Sequence, residues 1–232
     1  MVCLRTALLS HPFSLTFSGS KSKHLCSKVH AARPSVKMTS TKTVEHIVLF
    51  KVLHLSVGPL LRNRSSSFTF THMLHSRYNS KEDLQAYSAH PSHVSVVKAH
   101  VLPIVDDIMA LDWLADGLST LVPSQGSAIR LSFLKLKEAA PKDPVLAVVG
   151  GIPDSFNQIS EFSFGENFSP ARAKGFSIAS LAVFPGLSEL DAADSNQELV
   201  NYQKDKVRDH IESVVVVDYV VPPPPPAQSA SL

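Results

Sequence analysis

Seven of the eleven histidines lie between residues 45 and 113, and two of them closely follow a tyrosine. The segment that begins at Tyr87 reads Tyr-Ser-Ala-His-Pro-Ser-His and contains His90 and His93. Residues three positions apart share one face of a helix, and Pro91 is tolerated as the first residue of a new turn. A neutral imidazole beside a phenol can serve as a general base, because histidine titrates near neutral pH. The chemistry open to this segment is therefore proton transfer.

Two further histidines lie in segments with the alternating pattern of a β-strand. His46 shares one side of its strand with Val44, and His72 shares one side of its strand with Phe70. An imidazole on an apolar face must find a hydrogen-bond partner or line a cavity, and the sequence leaves both alternatives open. No metal site is predicted from these four histidines, because the set contains neither cysteine nor carboxylate.

The elements that must position these residues occur twice in the chain, which indicates a tandem repeat. A shift of 106 residues aligns residues 70–113 with residues 176–219 without a gap. Matching positions include Phe70 and Phe176, Leu84 and Leu190, Val101 and Val207, and Asp112 and Asp218.

Each copy has the pattern of a strand, a turn, a helical stretch and an apolar strand. In the first copy we expect strands over Ser67–Leu74 and Ile108–Trp113. Between them, Ser80 is the expected N-cap of a helix, with Asp83 at its third position.

The opening strands of the two copies match at a different offset, because residues 44–51 align with residues 128–135 at a shift of 84. The offsets differ by 22 residues, which the second copy has and the first lacks. That extra stretch contains a short helix, with Asp143 as expected N-cap and Pro144 at the first position. In the first copy Lys51 leads directly into Val52. We therefore predict that the first unit lacks its first helix. The cause would be a skipped exon, a faulty gene model or a tolerated deletion. Without this helix, residues 44–57 should form one long strand or a strained hairpin.

The second copy differs from the first at every histidine and tyrosine position considered above. Arg130, Ile178, Ala193, Asn196 and Leu199 correspond to His46, His72, Tyr87, His90 and His93, respectively. Ile, Ala and Leu cannot transfer protons, so we expect the second copy to be a structural partner.

The two ends of the chain differ in composition from its body. Residues 1–43 are basic and serine-rich and have no acidic residue, as in an organellar presequence. We expect the chloroplast as the destination of such a presequence. The alternative is that these residues are a disordered segment. Pro222 to Pro226 begin a proline-rich tail over 222–232, whose final Ser-Leu is a weak match to a peroxisomal signal. A cytosolic location is the remaining alternative. The body from Glu45 onwards carries 15 basic and 20 acidic residues, so a nucleic-acid partner is not expected, and no apolar run has the length of a membrane span.

Three segments in this order resemble the plant two-domain form of the stress-response A/B barrel family. They are Val44–Lys51, similar to the family's opening strand, Thr71-His72 in its third strand, and Tyr87–His93, similar to its Y-x-x-H-P-x-H helix motif. The resemblance implies an α+β fold of two ferredoxin-like (βαββαβ) units, over 44–114 and 126–221, with the first unit incomplete. It also implies that the two units pair with each other within one chain, or that two chains pair as a homodimer.

The family includes olivetolic acid cyclase, a cofactor-free polyketide cyclase. By that resemblance Tyr87 and His93 would be the catalytic pair, with His46, His72 and His90 lining the pocket and no cofactor required. One pocket tyrosine of that enzyme lies on the helix that the first unit lacks, so no residue here replaces it. We therefore expect a non-enzymatic or unassigned stress-related barrel; the alternative is a cyclase-like enzyme or a binder of a small hydrophobic ligand.

Overall fold

The computed structural model describes residues 42–52, 58–65, 67–116 and 123–222. The expected presequence, except for Lys42 and Thr43, and the proline-rich tail after Pro222 lie outside these residues, as does the segment 53–57. We call residues 44–114 copy one and residues 126–221 copy two.

Copy one contains four strands and two short α-helices among the described residues. These are β1 (Lys42–Val52), β2 (Arg62–Asn63), β3 (His72–Tyr78), α1 (Lys81–Ala89), α2 (Pro91–Val96), a π-helical turn (Val97–Val101), a 3₁₀ turn (Leu102–Ile104) and β4 (Val105–Asp116). The helix predictions hold here, because Ser80 accepts a hydrogen bond from the Asp83 amide at 3.1 Å and Pro91 is the first residue of α2.

Copy two has two additional helices after its first strand, and the shift of 106 places β2 on residues 168–169, outside the strands of copy two. Its elements are β5 (Ala128–Leu136), α3 (Lys142–Gly150), α4 (Ile152–Ser155), β6 (Glu161–Glu166), a 3₁₀ turn (Pro170–Arg172), β7 (Ile178–Phe184), α5 (Leu187–Ser195), α6 (Gln197–Val207), a 3₁₀ turn (Arg208–His210) and β8 (Ile211–Val220). Asp143 is not the N-cap of α3, since that helix begins at Lys142, two residues before the expected start at Pro144, and Pro141 is its cap.

The structure reproduces the repeat residue by residue. A shift of 106 places β3 on β7 and α1 on α5 over their full lengths. A shift of 84 places the end of β1 on the end of β5, and the register irregularity between Lys51 and Val52 falls on that between Lys135 and Leu136. Both copies therefore use one ferredoxin-like plan, and they differ where the 22 residues are absent.

The strands form two antiparallel sheets that share one core. The sheet of copy one has the order β3-β1-β4, and the other has the order β2-β8-β5-β7-β6. Ile47, Met109 and Trp113 from the first sheet pack in one buried cluster with residues of the second sheet, among them Leu131, Phe133 and Leu181. Since alternate residues point to opposite faces of a strand, each sheet has a second face on the helix side. The two copies thus pair within the chain.

The segment before β2 joins the two sheets at one edge. Its Leu60 amide donates to the Thr71 carbonyl in copy one at 2.8 Å, and its Leu61 amide donates to the Asp218 carbonyl in copy two, also at 2.8 Å. At the opposite edge the Phe168 amide donates to the Asp112 carbonyl at 2.9 Å. These bonds hold the two sheets together at both edges.

The first helix of a ferredoxin-like unit is absent from copy one among the described residues. β1 is a single strand that ends at Val52, and residues 58–61 before β2 contain no helix, whereas α3 and α4 occupy the corresponding connection in copy two. The segment has a sharp turn at Gly58, whose φ is +50°.

The strand expected over Ser67–Leu74 begins later than predicted, since β3 starts at His72. The Asn63 side-chain amide donates to the carbonyls of Phe68 and Phe70 at 2.9 and 3.1 Å. Side-chain bonds of this kind compete with the ladder of a sheet. Residues 67–70 therefore form a loop, whose two phenylalanine rings stack with centroids 5.5 Å apart.

Candidate functional site

The centre of the candidate site in copy one is a buried pair between His46 and Asp112. The two residues lie opposite each other on β1 and β4, on the helix side of the sheet. His46 Nδ1 contacts Asp112 Oδ1, and both side chains are buried. When the imidazole donates from Nδ1 to a carboxylate, Nε2 of the neutral ring is left as an acceptor. The partner that the sequence left open for His46 is therefore a carboxylate.

A row of aromatic rings leads from this pair to the motif on the helices. The ring of His46 meets Tyr78 edge-on at 6.3 Å, Tyr78 lies 5.3 Å from Tyr87, and Tyr87 lies 4.3 Å from His93, all measured between centroids. Burial raises the pKa of Tyr78 to about 12, and it also raises the pKa of Tyr87. Both phenols therefore keep their hydrogen at neutral pH and can donate a hydrogen bond.

His93 is the residue of the motif that is suited to accept a proton. Its Nδ1 lies 3.2 Å from the carbonyl oxygen of Ser88. A carbonyl can only accept, so Nδ1 carries the hydrogen and Nε2 of the neutral ring is unprotonated. The structure thus places the ring of Tyr87 beside that of His93, and their catalytic role stays a prediction.

The two remaining predicted residues have local partners. The exposed His90 is the N-cap of α2, and its Nδ1 accepts from the Ser92 amide at 3.2 Å. His72 Nδ1 lies 2.9 Å from the hydroxyl of Thr71. Tyr78 lies between His46 and Tyr87, and the sequence analysis did not single it out. Its position at the end of β3, on the same face as Leu74, is the sequence feature that could have identified it.

A cavity of about 430 Å³ lies in copy two, between the helix side of the sheet and helices α3 to α6. Most of its lining residues are aliphatic or aromatic, among them Val149, Phe156, Phe162, Phe184 and Val216. Such a volume and lining are typical of small-molecule sites. Sequence patterns do not reveal this cavity, because apolar walls have the same pattern as an ordinary core.

The cavity occupies the part of copy two that corresponds to the histidine and tyrosine site of copy one. Two of its lining residues, Arg130 and Ala193, correspond by the repeat to His46 and Tyr87. A methyl group therefore stands in copy two where copy one has a phenol ring, and the smaller side chain leaves space.

A network of ion pairs closes one end of this cavity. Arg130 donates from Nε to Asp218 at 2.8 Å and from Nη1 to Asp194 at 2.6 Å. By the repeat, Arg130 corresponds to His46 of the His46–Asp112 pair. Arg64 of copy one also contacts Asp194. Burial would raise the pKa of Asp194, but hydrogen bonds from Arg130 and Arg64 outweigh it and hold that pKa below its usual range. The cavity wall is thus built from both copies.

Two segments of the chain, residues 51–115 and 129–221, match the family model described as the stress responsive A/B barrel domain. The chain belongs to the stress-responsive A/B barrel family. A stress-response A/B barrel domain-containing protein of Arabidopsis thaliana is 47% identical over 266 aligned residues, which cover 100% of both chains. A second Arabidopsis thaliana protein with the same description is 43% identical over 180 residues, which cover 77% of this chain and 84% of the relative.

The alignment with the first of these relatives is longer than this chain, because it has 266 positions and the chain has 232 residues. At least 34 positions of the alignment, the difference between 266 and 232, therefore have no residue in this chain, more than the 22 predicted to be absent from copy one. Among solved structures, an anthrone oxidase-like protein has a TM-score of 0.53 at 12% identity, covering 78% of this chain and 91% of that chain. This likeness agrees with the observed fold of the A/B barrel.

A second polar cluster lies inside the barrel, on the opposite face of β1 from His46. The fully buried Glu45 accepts from Arg77 Nε at 2.9 Å and from Ser163 of copy two at 3.3 Å, and it lies 2.5 Å from His75 Nε2. Arg77 also contacts Glu161 of copy two. Strand alternation placed Glu45 opposite to His46, but its partners depend on the register of β1 with β3 and, for Ser163, on the pairing of the two copies.

Neither a metal site nor a membrane span is found in the part of the chain that the structure describes. No group of three or more His, Cys, Asp or Glu side chains is placed to hold a metal ion there. Within the same residues, every helix is too short or too polar to cross a membrane.

Proposed function

We propose that this A/B barrel protein is a non-enzymatic binder of a small, largely apolar molecule, and that the cavity of copy two is its binding site. The observation that carries this proposal is the cavity of about 430 Å³ with its aliphatic and aromatic walls. Apolar surface that is removed from water by a ligand drives binding without any directional contact.

The charges at one end of the cavity are matched within the protein. Arg62, Arg64 and Arg130 face Asp191, Asp194 and Asp218 in one network of ion pairs. A ligand group that bound to one of these residues would have to break an ion pair, which leaves a charge without its partner. Lys204 also lines the cavity, is exposed and lies outside this network.

The repeat itself supplies a substitution that tests this proposal. Ala193→Tyr introduces into copy two the residue that copy one has at the same position, and the ring would fill the cavity. We expect the full-length variant to lose at least tenfold in affinity for the neutral fluorescent probe N-phenyl-1-naphthylamine, measured by fluorescence titration.

Ala192→Tyr, at an exposed position of the same helix, is the matched control and should leave the affinity of the probe unchanged. Melting curves of both variants show whether the fold is retained. Unchanged binding of the probe by a folded Ala193→Tyr protein would contradict the proposal.

A second candidate function is cofactor-free proton transfer in copy one, as in an aldol-type ring closure. The ring contact of 4.3 Å between Tyr87 and His93 supports it, together with the Nε2 acceptor of His93. On this hypothesis Tyr87→Phe and His93→Ala should each abolish cyclisation of a linear polyketide thioester, measured by product formation. Cyclase activity that survives both substitutions would exclude the pair as its catalytic residues.

A further inference from the structure

Lys204 is a charged residue on helix α6, in the wall of the copy-two cavity. Val200 and Val207 line the cavity from the same helix, four residues before it and three residues after it. Residues at these spacings share one face of a helix, so the aliphatic stem of Lys204 lies on the apolar face. Because the residue is exposed, its ammonium group lies where the cavity meets water, a place that we call the mouth of the cavity.

The other charged side chains of the cavity wall are neutralised within the protein. Among the residues that the structure describes, they are Arg64, Arg130 and Asp194, which belong with the buried Asp218 to the network of ion pairs. That network therefore has no charge to offer to a ligand.

Lys204 differs from its charged neighbours on α6, because each of them has a partner. Asp205 pairs with Arg208, and the ammonium group of Lys206 lies 4.2 Å from the centroid of the Tyr202 ring. Within the described part of the chain, the ammonium group of Lys204 has neither an ion pair nor a hydrogen bond. The mouth of the cavity thus carries one positive charge that the protein does not neutralise.

We infer that the ligand of this cavity is an amphipathic monocarboxylate, whose apolar chain lies in the cavity and whose carboxylate pairs with Lys204 at the mouth. This inference rests on the proposed function and adds the polar group that the ligand carries. A carboxylate at the mouth stays in contact with water, so binding does not impose the cost of burying a charge. A single positive charge suits a single negative one, whereas an alkyl phosphate carries more than one negative charge at neutral pH.

The sign of the ligand's charge is the property that distinguishes this inference from apolar binding alone. Decanoate and decylamine have similar alkyl chains, so the apolar contribution to their binding is closely matched. Their charges are opposite, so Lys204 should attract the first and repel the second. A preference for decanoate over decylamine is therefore the criterion.

The test uses the full-length protein and measures displacement of N-phenyl-1-naphthylamine by decanoate, decan-1-ol and decylamine, each below the concentration at which it aggregates. Decan-1-ol is neutral and reports on apolar binding alone. We expect decanoate to displace the probe at a concentration roughly fivefold lower than decylamine, as an ion pair at the protein surface would give.

Lys204→Met keeps an unbranched side chain but removes the charge, and it should bring decanoate and decylamine to within about twofold of each other. Lys204→Glu reverses the charge and should make decylamine the better competitor. Lys206→Met and Lys206→Glu change the charge of the same helix by the same amounts, and as matched controls they should keep the preference for decanoate. The competitor series on the unmodified protein gives an answer even where a variant does not fold.

The outcomes separate this inference from the function on which it rests. If decan-1-ol displaces the probe but decanoate and decylamine are equally effective, the carboxylate inference is wrong while apolar binding stands. The same holds if Lys204→Met keeps the preference for decanoate, or if Lys206→Met abolishes it as well. If neither the probe nor decan-1-ol binds, both the proposed function and the inference are wrong.

Discussion

At the scale of single residues, the buried His46–Asp112 pair determines what copy one can tolerate. Loss of one member leaves the other buried without a partner, which costs more than loss of both. We expect His46→Leu to lower the free energy of unfolding by about 3 kcal/mol, and we expect the double variant with Asp112→Leu to be less destabilised than the single one. Urea unfolding of the single and double variants measures this difference.

His72→Leu is the matched control, because His72 is only half-buried and its imidazole lies beside the hydroxyl of Thr71 rather than a carboxylate. We expect it to change the free energy of unfolding by less than about 1 kcal/mol. Equal costs for His46→Leu and His72→Leu, or additive costs in the double variant, would show that the buried pair is not coupled.

The pair also shows what a sequence can reveal at this scale. The repeat placed His46 on Arg130 and Asp112 on Asp218, so that both copies carry a cation or imidazole and a carboxylate at the same two positions. The pairing across strands follows from the register of β1 with β4 and of β5 with β8, which the sequence does not contain.

At the scale of elements, the segment of residues 58–61 before β2 depends on Gly58. Its φ of +50° is unfavourable for other residues, and a Cβ there would lie 2.9 Å from the Met73 carbonyl oxygen and 3.0 Å from the Tyr219 ring. We expect Gly58→Ala to lower the free energy of unfolding by about 2–3 kcal/mol, measured by urea unfolding.

Gly126→Ala separates the two causes, because Gly126 has a φ of +83° but no atom within 4 Å of the added Cβ. This control should cost only about 1 kcal/mol, the backbone part of the effect. If both variants were equally destabilised, the close approach to Met73 and Tyr219 would contribute nothing.

Element prediction from the sequence succeeded where the pattern is local. The N-cap Ser80 and the restart at Pro91 depend only on neighbours in the chain, and both hold. The strand expected over Ser67–Leu74 began too early, because the Asn63 side chain bonds the carbonyls of Phe68 and Phe70 and keeps residues 67–70 out of the ladder.

At the scale of the whole molecule, the two copies share one core, and we expect them to unfold together. Trp113, the only tryptophan, is fully buried in the cluster that contains residues of both sheets. Gly165 of β6 approaches it so closely that a Cβ there would lie 3.1 Å from Trp113 Cβ and from the Leu114 carbonyl oxygen. Trp113 fluorescence therefore reports on the contact between the copies, whereas far-UV circular dichroism reports on all helices and strands.

In urea, the midpoints of the two signals should coincide, as in a two-state transition. Gly165→Ala should shift both midpoints down together, because the added methyl group pushes β6 away from β4. Gly151→Ala is the control, since its Cβ would meet no atom closer than 3.6 Å. A fluorescence midpoint clearly below that of circular dichroism would mean that copy two stays folded after copy one has separated. The cavity of copy two would then belong to an independent unit, although Arg64 of copy one contributes to its wall.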